Sequence, residues 1–352
     1  MAYTTIDDPT IYFNTIAYTG DGSQDVTGVG FQQPDWVWVK ARGNAYNHQI
    51  HDSVRGATAG MLSSNSTDAE NSTYQFDSFD SDGFTTDSGN VTGVNGNTHT
   101  QVAWNWKAGT SFSNDASATS VGTIDSTGSI NTTAGISIIS YTGTGSAGTI
   151  AHGLGAVPTM IIVKNRTDAG TDWYVYNVHN GNTHSILLNS TGAKVGAYTD
   201  NWNNTTPTSS VFTVGSSNST GGSSGDNMIA YVFTDIKGYS KIGSYTGNGN
   251  ADGPFVYTGF KPAWVLTKRT DSTDNWRIRD LKREPNNPLD APLRPDLSNA
   301  ENDGDNDVDI ISNGFKIRDT GTGENASGGT YIFMAFAESS FVNSNGVPTN
   351  AR

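Results

Sequence analysis

Short runs rich in Val, Ile, Thr and aromatic residues, bounded by Gly, Asn, Asp or Pro, recur along the whole chain, as at 136–141, 159–164, 172–178 and 227–233. Runs of this length and composition predict β-strands. No stretch carries the 3.6-residue apolar periodicity of a long amphipathic helix.

The pattern also repeats at long range. Ile16-Ala-Tyr18-Thr-Gly-Asp-Gly22 returns as Ile139-Ser-Tyr141-Thr-Gly-Thr-Gly145 and as Gly243-Ser-Tyr245-Thr-Gly-Asn-Gly249. Lys40, Lys164 and Lys268 follow these tyrosines by 22, 23 and 23 residues, and each closes a strand-like run that opens with Pro34, Pro158 or Pro262: PDWVWVK, PTMIIVK and PAWVLTK. The outer two copies match further. Asp52 and Arg55 parallel Asp280 and Arg283, and Leu62, Asn65, Ala69, Glu70 and Asn71 share the spacing of Leu293, Asp296, Ala300, Glu301 and Asn302. Near the close of each copy an alanine precedes an aromatic, at Ala103-Trp104, Ala230-Tyr231 and Ala335-Phe336. The expected organisation is an N-terminal arm over 1–15, repeats over 16–109, 136–237 and 238–338, a polar Ser/Thr/Gly linker over 110–135 and a tail over 339–352. The expected fold is all-β: three tandem related β-sandwiches of jelly-roll or lectin-like form.

FQQPDWVWVK, residues 31–40, tests whether aromatics form a binding face. In a strand Trp36, Trp38 and Lys40 point one way and Val37 and Val39 the other. The matching residues are Met160 and Ile162 in the second copy and Trp264 and Leu266 in the third, so the position requires bulk rather than a ring. A central strand buried on both faces is expected.

Composition then removes function classes. The chain has 352 residues, 41 of them Gly, a charged fraction of 15% and a net charge of −14. That charge opposes binding to nucleic-acid phosphates. Without cysteine there is no disulfide, thiolate zinc site or Cys nucleophile. No apolar run is long enough to insert in a membrane, and the first residues lack a basic start and an apolar core, so the expectation is a soluble protein made in the cytoplasm.

Few motifs carry chemistry. Gly143-Thr-Gly145-Ser-Ala-Gly148 matches a phosphate-binding pattern but lies between strand-like runs and predicts a turn. Gly221-Gly-Ser223-Ser-Gly225 matches a nucleophile elbow inside a low-complexity stretch, with no helix to follow. His48, His51 and Asp52 have a metal-like spacing, yet the third copy has Trp276 and Arg279 where the histidines stand, so a solvated turn or strand edge is expected. The alternating acids Asp303, Asp305, Asp307 and Asp309 suit Ca²⁺, although the EF-hand glycine and distal glutamate are not in place. No carboxylate pair is singled out for glycoside cleavage.

SYTGNGNADGPFVYTGFKPAWVLTKRTDSTDNWRI, GLGAVPTMIIVKNR, FDSFDSDGF and the closing Asn-Ala-Arg resemble a domain family of marine bacteriophages, labelled as virion or tail-fibre-like structural proteins. The resemblance implies a non-enzymatic virion protein on the particle exterior, at the tail or capsid surface, with no catalytic residues and no cofactor beyond the Ca²⁺ considered above. A tail fibre or appendage that contributes to host attachment is expected first; capsid decoration or a polysaccharide-cleaving tail protein are the alternatives. Its implied partners are other virion proteins, further copies of itself, a trimer being one form, and a host surface glycan. The acidic cluster at 303–309 departs from the family pattern.

Overall fold

The computed structural model describes residues 3–22, 25–71, 76–86, 92–196, 198–302, 304 and 307–349. Nearly every element is a β-strand, and the sheets are antiparallel. Three principal sheets share one strand order. In the first, an opening strand (Phe13–Thr19) pairs with a closing strand (Thr100–Trp106), which pairs with a central strand (Trp36–Ala41), which pairs with a fourth strand (Gln49–Asp52). The second sheet repeats this order with Ile136–Thr142, Asn227–Phe233, Met160–Asn165 and Tyr174–Asn177. The third does so with Ser240–Thr246, Thr330–Ser340, Phe260–Arg269 and Arg277–Asp280. Each sheet and its companions are called units 1, 2 and 3 below.

A smaller sheet lies over one face of each principal sheet. In unit 1 it comprises Asp25–Thr27, Gly83–Thr86 and Phe76–Asp80; in unit 2, Gly148–Ala151 and Val211–Val214; in unit 3, Phe255–Tyr257, Gly314–Ile317 and Val308–Ile311. Separate apolar cores fill these sandwiches. Val37, Val39 and Phe84 belong to the first, Ile161, Val163 and Phe212 to the second, and Val265, Phe315 and Phe333 to the third. The period-2 alternation of a strand sends the remaining side chains to the opposite face. There the three principal sheets meet in a single shared core that includes Trp36, Trp38, Trp104, Trp106, Tyr231, Phe233, Trp264 and Phe336.

Aromatic contacts cross every seam of this core. Trp36 stacks on Tyr231 at 4.8 Å, Trp106 meets Trp264 edge-on at 5.5 Å, and Phe233 meets Phe336 at 6.3 Å. All six residues of the central strand of unit 1 are buried, as PDWVWVK predicts. Val37 and Val39 fill the unit's own sandwich, whereas Trp36 and Trp38 fill the space between units.

Three expectations need correction. Residues 110–135 are not a free linker. Thr110–Asn114 and Ser126–Asn131 form a hairpin that adds two strands to the second sheet, because Phe112 and Ile130 pack onto its outer core. The turn between them is capped by Asp115, which accepts from the Ser117 and Ala118 amides. The arm is likewise built in: Ile6 enters the shared core and Phe13 already begins the opening strand. The alanine-aromatic match in the third copy is out of step by two residues. Pairing places Trp106, Phe233 and Phe336 opposite Trp36, Met160 and Trp264, so Ala103 and Ala230 correspond to Phe333 rather than Ala335.

A size exchange explains that slip. Ala103 lies opposite Ile16 and Ala230 opposite Ile139, whereas Phe333 lies opposite Gly243. A methyl group on Gly243 would come within 2.4 Å of the Phe333 ring. The large and small partners have changed places across the pair while its total bulk is kept.

Candidate functional site

The charged residues shared by units 1 and 3 are structural joints. Asp52 accepts from Arg55 Nε at 2.5 Å and from the hydroxyl of Tyr231, in unit 2, at 2.8 Å. Asp280 accepts from Arg283 Nε at 2.6 Å and from the indole N–H of Trp104, in unit 1, at 3.0 Å. Burial opposes the charge on Arg55, but the Asp52 and Glu70 carboxylates outweigh it and hold the guanidinium above its ordinary range. Glu70 then bridges Arg55 to Arg166 of unit 2, and Glu301 bridges Arg283 to Arg42 of unit 1.

The seams follow one cyclic rule. The amides of Glu70, Lys194 and Glu301 donate to the carbonyls of Arg166, Thr270 and Arg42, joining unit 1 to 2, 2 to 3 and 3 to 1. In the reverse sense Trp173 Nε1 donates to the Ser63 carbonyl and Trp276 Nε1 to that of Leu187. His48 takes the equivalent place beside the Arg294 backbone. Lys164 Nζ reaches the Thr67 carbonyl across one seam and Lys268 Nζ reaches that of Thr191 across another. Burial lowers Lys40, Lys164 and Lys268 to about 8. In each unit this lysine is a buried donor to backbone carbonyls.

His48, His51 and Asp52 are buried, not solvated, because Gln49–Asp52 is an interior strand. His48 faces the shared core, where it accepts from Trp38 Nε1 at 3.1 Å, and His51 lies flat on Phe76 in the sandwich of unit 1, with ring centroids 4.0 Å apart. The two rings point to opposite faces and do not share a ligand. Burial first, then nearby cations, push both well below the ordinary histidine range: Lys40 and Arg283 act on His48, and Arg55 on His51.

Of the acidic cluster, Asp303 and Asp305 lie outside the described residues. Asp307 and Asp309 flank the buried Val308, and Asp309 pairs with Arg318 at 3.4 Å. Partial burial raises the Asp307 carboxyl, with help from Asp290, Asp319 and Asp309. Among the described residues no group of three or more His, Asp or Glu is placed to hold a metal. Gly143 to Gly148 forms the turn between Ile136–Thr142 and Gly148–Ala151, and the stretch holding Ser223 runs into the strand Asn227–Phe233 rather than a helix.

A different surface stands out in unit 3. Phe255 and Tyr257 are 46% and 57% exposed on either side of the buried Val256. The arm brings Tyr3 beside them: its hydroxyl donates to the Gly259 carbonyl at 2.7 Å and lies 3.3 Å from the Tyr257 hydroxyl. Lys237 Nζ sits 4.5 Å above the Tyr3 ring, and Lys241 pairs with Asp235 at 2.6 Å. Burial and the Tyr257 hydroxyl push Tyr3 up to about 12. Tyr3, Asp235, Lys237, Lys241, Tyr257 and Gly259 border a cleft of about 420 Å³, and Phe255 lies outside that lining, against the Tyr257 ring. Gly259, at φ +87°, leaves room for both hydroxyls, since a methyl group there would lie 2.9 Å from that of Tyr3.

The sequence reading passed over this cleft. Its signal lay in the alignment of the units: where Val256 pairs with Phe315, Val26 pairs with Phe84, so Phe255 and Tyr257 stand where unit 1 has Asp25 and Thr27. Three further cavities lie at the seams, at Phe13 and Leu281, at Asp35 and Phe112, and at Lys194 and Tyr331. Each of these four cavities is lined by at most one carboxylate.

A family model described as "Domain of unknown function (DUF7483)" matches residues 8–340. No curated protein matches the chain significantly.

Proposed function

The chain belongs to the DUF7483 family, whose description assigns no activity, and from the resemblance of its sequence to phage virion proteins, taken together with its geometry, we propose that it is a non-enzymatic structural protein of a bacteriophage particle, displayed on the exterior and contributing to attachment to the host surface. In this reading the chain is three tandem copies of one sandwich unit closed around a shared core. The observation that supports the proposal is that closure: charges, tryptophans and lysines at positions shared between units lie at the seams that join them. This is the design of a rigid scaffold that presents a surface. Polysaccharide cleavage is the alternative, and it would require two carboxylates facing each other across a groove.

Immunogold electron microscopy of purified virions, with antibody raised against the chain, tests this reading. Label on tail fibres or appendages is the expected result. Label confined to the capsid surface replaces attachment with decoration, and absence of label from particles overturns the proposal.

A further inference from the structure

We propose that the cleft lined by Tyr3, Tyr257 and Lys237, together with the exposed Phe255 ring beside Tyr257, is a binding site for an uncharged hexopyranose glycan. The inference deepens the attachment reading, on which it rests only for the biological source of the sugar. Its starting point is a comparison internal to the chain. A strand position on the outer face of a small sheet has no packing reason to be aromatic, and unit 1 fills the same two positions with Asp25 and Thr27. Unit 2 offers Thr149 and Ala151, which flank Ile150 opposite Phe212. Only unit 3 places rings there, and it leaves them half exposed. Aromatic residues kept at the surface against the hydrophobic effect mark a contact surface.

The chemistry of the cleft selects the ligand. The Phe255 and Tyr257 rings, with centroids 6.5 Å apart and planes at 72°, offer apolar faces of two orientations along one strand. The C–H face of a pyranose ring matches such a surface, and its hydroxyls need hydrogen-bonding groups at the edge. Those groups are present: the Tyr3 and Tyr257 hydroxyls, the Lys237 ammonium and the Asp235–Lys241 pair, which can donate and accept. An apolar peptide would strip water from these polar groups and offer them no further partners. A strongly anionic polymer would meet a chain of net charge −14. A neutral sugar chain satisfies both conditions. The lysine held over Tyr3 and the Tyr3–Gly259 hydrogen bond fix the arm as one wall, so the site is formed before the ligand arrives.

Affinity electrophoresis of the full chain in native gels containing dextran, hydroxyethylcellulose or galactomannan tests the site. The expected result is retardation by at least one of these neutral polymers. Phe255→Asp with Tyr257→Thr is the informative variant, because it installs the residues that unit 1 carries at the same positions, and an unchanged Tm verifies that the fold is kept. It should weaken retardation by roughly tenfold in apparent affinity. The proposal is overturned if no neutral polymer retards the protein, if only alginate does, or if the variant is retarded like the parent. It is also overturned if size-exclusion chromatography shows an oligomer that the variant dissolves, for then the rings meet a second copy. Particle labelling is a separate measurement. A labelled virion with no sugar binding removes the site and leaves the structural role, and sugar binding without label does the reverse.

Discussion

At the scale of single residues, the most exacting positions are the buried carboxylates. Asp280 takes the Arg283 guanidinium, the Arg283 amide and the Trp104 indole, all within a region closed to water. Asp280→Asn keeps the shape and removes the charge, so Arg283 loses its main counter-ion. Urea denaturation should show a loss of about 3 kcal/mol, the range for breaking a buried pair from one side. Two buried histidines contribute to the loss of stability in acid. His48 and His51 are held neutral in the fold because their pKa lies well below the unfolded value. The unfolded chain therefore binds more protons once pH drops below about 6.5, and stability falls from there downward. A series of thermal melts between neutral and acid pH should show this loss, and His51→Phe should reduce it, since Phe stacks on Phe76 without a proton to gain.

At the scale of elements, the opening and closing strands carry a test of their own. Gly243→Ile alone should destabilise by about 2 kcal/mol through overpacking against Phe333, and Phe333→Ala alone by about 3 kcal/mol through the cavity left behind. Together they recreate the Ile–Ala pair of units 1 and 2, so the double variant should be more stable than the sum of the two losses predicts, by about 1 kcal/mol or more in a double-mutant cycle. The same pair shows where sequence reading worked and where it failed. The tyrosine and lysine landmarks were legible because each meets the same local need in every unit, whereas Pro34 and Pro158 precede their strands and Pro262 lies within one. Tyr18, Tyr141 and Tyr245, for example, donate to the carbonyls of Val94, Thr220 and Glu324 ahead of the closing strand. The Ala335 match failed because identity was taken as equivalence, and the exchange of bulk across a strand pair has no local signature. The burial of Trp36 and Trp38 could be read from their replacement by Met160 and Ile162, but not the fact that their partners are the other two sheets. Alternation states that a face is covered, never by what. The cleft was missed for the opposite reason: aromatic residues in strand-like runs are assigned to cores by default, and only pairing shows that Phe255 and Tyr257 face outward.

At the scale of the whole molecule, the shared core couples the three units. None of them buries its inner face alone, because Trp36, Tyr231 and Trp264 each depend on residues of another sheet. Differential scanning calorimetry should therefore record one endotherm rather than three, unlike a string of independent sandwiches. The seams are not equal. Where the other two carry Glu70 with Arg166 and Glu301 with Arg42, the seam between units 2 and 3 has Lys194 and Thr270, and a polar cavity of about 270 Å³ lies there. Hydrogen exchange should accordingly be fastest, among the three backbone bonds of the cyclic set, at the Lys194 amide.

The ring is also fastened where the chain would otherwise leave it open. The amide and hydroxyl of Ser344 donate to the Asp7 carboxylate at 2.7 and 2.5 Å, so the segment before unit 1 and the segment after unit 3 lie side by side. A peptide could link these two segments with the arm retained, and the chain could be cut instead between units 2 and 3. The resulting circular permutant would read unit 3, unit 1, unit 2 and should keep the three backbone bonds between units, which means that the order in which the three units are encoded is free to rotate while the folded shape stays the same.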